Sequence, residues 1–110
     1  MLVTAVIDRP LGNCHPQYPE LRYPVNYGCV PGRMAPDGEW QDVYVLGVTE
    51  PLTAFTGRRI AVIHRRDDVE TKWVLAPEGM TFTAEEIMAA VAFQERYFDA
   101  LVELLPPGKD

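Results

Sequence analysis

The segment Ala35-Pro36-Asp37-Gly38-Glu39-Trp40-Gln41-Asp42-Val43 carries three carboxylates at i, i+2 and i+5. Asp37-Gly38 reads as a turn, and Asp42 stands at the entrance to a strand. In extended chain, i and i+2 share a face, so Asp37 and Glu39 can converge, with Asp42 brought in by the turn. Carboxylates that close repel one another unless a cation sits among them. Hard oxygen ligands with open positions for water and phosphate suit Mg²⁺; the same residues also make an ordinary solvated turn. A second acidic group is Asp67-Asp68-Val69-Glu70-Thr71-Lys72. Here Asp68, Glu70 and Lys72 alternate onto one face, either as a surface salt pair or as a phosphate-binding lysine beside metal ligands. The third feature is Arg22-Tyr23-Pro24-Val25-Asn26-Tyr27-Gly28. Its two tyrosines can donate to phosphate oxygens or simply pack a rim.

Such residues need a scaffold, and hydrophobic periodicity sketches one. Leu2–Ile7, rich in β-branched residues, predicts a first strand. From Asp8 to Asp42 the chain is punctuated by six of its ten prolines, the mark of short strands with turns or of a functional loop. Val43–Val48, Arg59–His64 and Lys72–Ala76 predict further strands. Thr83-Ala84-Glu85-Glu86 is a capping box, and Ile87, Ala90, Val91, Phe98, Leu101 and Leu105 recur as one helical face, stopped by Pro106-Pro107. The expectation is one β-rich α+β domain over residues 1–110: a small barrel over about 1–78 and one long C-terminal helix over about 84–105.

Composition narrows the partners. With 110 residues, 47% hydrophobic and 24% charged, the chain has the make-up of a folded domain. Its net charge of −6 argues against nucleic acid, and no apolar run is long enough for a bilayer. Cys14 and Cys29 fit no metal spacing and are too few for a disulfide scaffold. Free thiols in a cytoplasmic setting are expected. His15 and His64 have no spacing that suggests a metal pair.

Taken in order, Tyr23-Pro24-Val25-Asn26-Tyr27-Gly28, then Asp37-Gly38-Glu39-Trp40-Gln41-Asp42, then Asp68 to Lys72, resemble the Mg-dependent family I inorganic pyrophosphatases. The opening Asp8-Arg9-Pro10-Leu11-Gly12 is similar to that of a short bacterial subgroup bearing the same name. The resemblance implies an OB-like five-stranded barrel and hydrolysis of pyrophosphate to two phosphates by a metal-activated water. It implies Mg²⁺, with Mn²⁺ as a substitute, and a homo-oligomer. By position, Asp37, Asp42 and Glu70 would hold the first Mg²⁺ and Asp42 would bridge to a second. Asp67 and Asp68 would correspond to an acidic pair binding further metal. Glu39 would be the general base. Lys72, Tyr27 and Tyr97 would contact phosphate oxygens, with Tyr23 close by.

The sequence also departs from the family pattern. Thr4 and Val6 stand where relatives keep a Lys and a Glu, His15 falls near a family Arg, and Phe98 replaces a Lys beside Tyr97. Glu39 replaces the usual middle Asp, and Trp40 the Pro after it. Arg9, Arg22 and Arg33 are the candidates to replace the missing cations, and Arg9 is carried forward as a substrate-binding residue. A slow enzyme is therefore expected. The alternative is a non-catalytic or substrate-shifted module that binds a phosphate metabolite, a nucleotide or a protein partner.

Overall fold

A computed structural model of the chain describes residues 2–106. The strands are β1 (Leu2–Arg9), β2 (Asn26–Met34), β3 (Trp40–Val45), β4 (Ala54–Arg65) and β5 (Thr71–Ala76). Helix α1 (Ala84–Glu95) and a last strand, β6 (Ala100–Leu104), follow. The sheet runs β1-β2-β3-β5-β4, and β4 pairs back with β1, closing a five-stranded barrel. β3 and β5 are parallel; the other pairs are antiparallel.

The middle strands have two buried faces, which is why they read as continuous apolar runs. Val43, Val45, Trp73 and Leu75 join Ala5 and Ile7 in the barrel interior. Tyr44, Leu46, Val74, Ala61 and Ile63 point the other way, against Ile87 and Val91 of α1. Strand alternation therefore sends the even-numbered residues of β3 and β5 to the helix side. Asp42 and Lys72, directly opposite one another in the parallel register, lie on that side, one step beyond Tyr44 and Val74.

Two stretches differ from the sequence expectation. The punctuated segment 8–42 contains a full strand, β2, whose ladder with β3 is interrupted between Val30 and Met34. Pro31 and Gly32 sit at that interruption and break the alternation that would have marked the strand. Gly28 is required in β2 because a Cβ there would collide with the Val6 carbonyl.

The capping box forms as read, with Glu86 N–H donating to Thr83 Oγ1 at 3.1 Å and Thr83 N–H to Glu86 Oε1 at 2.8 Å. The helix expected to run to about residue 105 ends at Glu95 instead, and Ala100–Leu104 are strand. The reason lies in β4. Its twelve residues outreach β1, which pairs only with Ala54–Arg58, leaving Ala61–Arg65 with an edge that β6 fills. A short apolar run fits either period, and here the unpaired backbone edge decides.

Candidate functional site

A cleft of about 770 Å³ opens where the C-terminal end of α1 meets the entry ends of β3 and β5. Each wall has a separate local cause. β1 ends in Asp8 and Arg9. The segment between β1 and β2 folds back through a Cys14–Arg22 bridge, presenting His15, Tyr18 and Glu20. Asn26, fully buried, holds that segment down: its Oδ1 accepts from Leu11 N–H at 2.9 Å and Leu52 N–H at 3.0 Å. The floor carries Tyr27, Asp42, Glu70 and Lys72, and the turn after α1 adds Arg96, Tyr97 and Phe98.

Lys72 is the centre of the floor. Only 4% exposed, its Nζ donates to Asp42 Oδ2 at 2.7 Å and to Tyr27 Oη at 2.8 Å, and lies 3.2 Å from Glu70 Oε2. Burial works against the ammonium, but Tyr27 and Asp42 outweigh it and hold Lys72 above lysine's ordinary value. The Tyr27 hydroxyl is pushed up by burial, with Lys72 pulling against that. Both groups keep their protons at neutral pH.

Behind the floor lies a second cation. Arg65 reaches Glu95 with two parallel bonds, Nε to Oε1 at 2.9 Å and Nη2 to Oε2 at 2.8 Å, and grips Glu70 through Nη1. The Phe98 ring covers the guanidinium, 3.6 Å from its centroid. Burial disfavours the charge, yet the bonds to Glu95 and the charges of Glu95 and Glu70 hold Arg65 well above its usual value. Tyr44 Oη donates to Glu95 Oε2 at 2.6 Å, and Gln94 Nε2 to Tyr44 Oη at 2.7 Å. Tyr23 Oη donates to Gln94 Oε1 at 2.6 Å, and Arg9 Nη1 to Tyr23 Oη at 2.5 Å. One hydrogen-bonded line thus runs from Arg9 to Glu70, and the ion pair of Glu70 with Lys72 carries it on to Asp42, which fixes the positions of these polar groups.

The structure gathers Arg9, Tyr27, Asp42, Glu70, Lys72 and Tyr97 on this cleft. Tyr23 is fully buried behind it and positions Arg9 instead of facing the opening. Glu39 lines an adjoining cavity of about 370 Å³ with Asp8 and Asp42, the two residues common to both spaces. Asp37 turns back on its own loop, its Oδ1 accepting from Glu39 N–H at 3.0 Å, at a turn where Gly38 adopts φ +87°. Asp67 and Asp68 brace the β4–β5 turn, accepting from Asp99 N–H at 3.2 Å and Glu70 N–H at 2.6 Å. Among the described residues, no three His, Cys, Asp or Glu side chains are grouped tightly enough to hold a metal by themselves.

The sequence reading missed Asp8, Arg65, Gln94 and Glu95. A signal for two of them exists. Arg65 continues the inward alternation Ala61, Ile63, and Glu95 continues the helical row Ile87, Val91. Opposite charges extending two buried rows toward one place announce a buried pair.

Known proteins bear on this site. The family model for inorganic pyrophosphatase matches residues 8–81, more than half of the chain. Among solved structures, an inorganic pyrophosphatase from Neisseria gonorrhoeae is 19% identical, with a TM-score of 0.67 over 87% of this chain and 73% of its own. One from Ehrlichia chaffeensis is 18% identical, with a TM-score of 0.69 over 90% and 82%. One from Helicobacter pylori is 17% identical, with a TM-score of 0.65 over 94% and 82%. No curated protein matches the chain. At these identities the structures speak for the barrel, and the family model, which takes in Tyr27, Asp42, Glu70 and Lys72, speaks for the lineage: this chain belongs to the inorganic pyrophosphatase family.

Proposed function

We propose that the cleft hydrolyses a phosphoanhydride, inorganic pyrophosphate first among them, with Mg²⁺ or Mn²⁺ as cofactor. The observation that carries this reading is the convergence on Lys72. Three separate segments supply Tyr27, Asp42 and Lys72, and they meet within hydrogen-bond distance in the cleft of about 770 Å³.

The donor set fits a metal at the rim and not at the floor. Glu70 is already engaged by Arg65 and Lys72, and one Asp42 oxygen by Lys72. Asp8, Glu39 and Asp42 line one cavity whose described lining includes no lysine or arginine. The Asp8 carboxyl is held above its usual value by partial burial, opposed by Arg9 and reinforced by the charge of Asp42. Mg²⁺ keeps several waters and takes one or two carboxylates together with substrate phosphates, so Asp42 with Asp8 or Glu39 would hold it. When bound, the metal supplies positive charge to the phosphate oxygens and acidifies water. The chain's own residues supply the rest. Lys72 and Arg9 meet phosphate charge, and the Tyr27 hydroxyl fixes the ammonium it would share with the substrate. Glu39 or Asp8 takes the proton of the attacking water. Asp37, Asp67 and Asp68 would act through the turns they brace.

Phosphate release from pyrophosphate by the purified protein, with Mg²⁺ and with EDTA, tests the proposal. Release that requires the metal is expected; none at any protein concentration overturns it. One observation favours the second reading, a binding module. Arg65 and Lys72 neutralise carboxylates that the resemblance assigns to metal, leaving the floor balanced in charge before any cofactor arrives.

A further inference from the structure

We propose that this cleft, besides pyrophosphate, takes a nucleoside diphosphate, its base against the exposed rings of the lining and its diphosphate on Lys72 and Arg9. The inference rests on the phosphoanhydride reading above and names its substrate class. Size is the first argument. Pyrophosphate has nine heavy atoms and, at a water's share of ~30 Å³ each, fills at most about 270 Å³. The cleft holds about 770 Å³. A nucleoside diphosphate of 27 heavy atoms reaches ~800 Å³ by the same generous measure.

The lining is the second argument. Besides its charged groups the cleft is lined by exposed rings: Tyr18 is 55% exposed, Tyr97 64% and Phe98 37%. A bare polyanion can use only the hydroxyls of the two tyrosines and leaves the ring faces idle, whereas a planar base stacks on them. The rings are also held in place. His15 lies 5.0 Å from Tyr18, ring to ring, Arg96 Nη2 donates to Tyr97 Oη at 3.1 Å, and Arg65 backs Phe98. Glu20, also in the lining, is an acceptor for an exocyclic amine or a ribose hydroxyl.

In the reaction, the water's oxygen forms a bond to the terminal phosphorus. The bond from that phosphorus to the bridging oxygen breaks, and its electron pair stays on that oxygen, which leaves as part of the nucleoside monophosphate. One proton of the water remains on the orthophosphate and the other passes to solvent.

Calorimetry on the intact protein in Mg²⁺, with α,β-methylene-ADP against methylenediphosphonate, tests the inference. The nucleotide analogue should bind at least tenfold tighter, the size of one base stacked on an aromatic ring. Tyr18→Ala should reduce that ratio to less than threefold, and Tyr18→Phe should keep it. Equal affinities in the wild type, or a ratio untouched by Tyr18→Ala, overturns the inference even if pyrophosphate is hydrolysed. A tenfold preference without phosphate release from any substrate upholds nucleotide binding and removes the hydrolytic reading instead.

Discussion

At the inner end of the cleft Arg65 is locked between Glu95 and Glu70, out of water and covered by Phe98. At the rim, Asp8, Glu39 and Asp42 border open space, with Lys72 paired to Asp42 and Arg9 beside Asp8. The two ends use the same residue types for opposite purposes. Inside, every charge has a partner, so the group is a clasp joining α1 to β4 and β5. Outside, negative charge is left over, so the group can accept a cation or a substrate that brings one. A carboxylate's chemistry here follows from whether the fold has already supplied its counter-charge, and residue type alone does not reveal that.

The largest expected effect breaks the clasp. Glu95→Ala leaves the buried Arg65 guanidinium half-partnered, and breaking a buried pair costs about 3–5 kcal/mol. For a chain of this size the melting temperature should fall by roughly 15–25 °C. Replacing both ends, Arg65→Met with Glu95→Leu, should restore most of it, because a well-packed apolar pair competes with a buried ion pair. Thermal unfolding of the three proteins decides; a loss under about 1 kcal/mol in Glu95→Ala would place the pair effectively in water.

The next effect separates the two ends by activity. Asp42→Asn removes one of the two carboxylates common to both cavities and should lower metal-dependent turnover by about 10²–10³, as loss of one preorganised electrostatic group does. Glu39→Gln and Glu70→Gln should cost less activity, and Glu70→Gln more stability, since its charge belongs to the clasp. Unchanged turnover in Asp42→Asn would reduce the acidic segment to a solvated turn.

How much of this was legible in the sequence depends on which force set each element. Four of the five barrel strands followed from short apolar and β-branched runs, and the start of α1 from its capping box, because local rules decide both. The end of α1 was not legible: Ala100–Leu104 satisfy a helical stripe equally well, and only the distant free edge of β4 chooses. The same holds for the site. Tyr27, Asp42, Glu70 and Lys72 came from motifs whose spacing is local. Arg65 and Glu95, 30 residues apart, come together through topology. Asp37 looked like a ligand by spacing and is bound to its own turn, because an Asp-Gly turn offers its carboxylate a backbone N–H at once.

The floor's protonation gives a third test. Tyr27 and Lys72 both hold their protons more tightly in the folded protein than free. A raised tyrosine resists ionising only while folded, and a raised lysine loses its contribution only as pH passes its unfolded value. Both signs agree: stability should stay flat from neutral pH to about pH 10, then fall by up to about 1.4 kcal/mol per pH unit for each group. Tyr27→Phe should make the fall shallower. A decline in melting temperature that begins below pH 9 would show that the floor is wetter than its burial indicates.

The smallest effect concerns Phe98, which the family resemblance sets in the place of a lysine. Its ring lies on the cleft wall and not in the core, so position 98 does face the site. A lysine there restores a phosphate-side cation in principle. The ring, however, sits over Arg65, and such a cation–ring contact contributes about 0.5–2 kcal/mol. Phe98→Lys exchanges that attraction for repulsion between an ammonium and a guanidinium already paired with two carboxylates. The expected outcome is a small drop in melting temperature and less than a threefold change in kcat/KM for pyrophosphate. A tenfold rise in kcat/KM would mean that the new ammonium reaches the substrate past Arg65, and that the shortage of cations at the phosphate side, not the neutralisation of the carboxylates, limits the site.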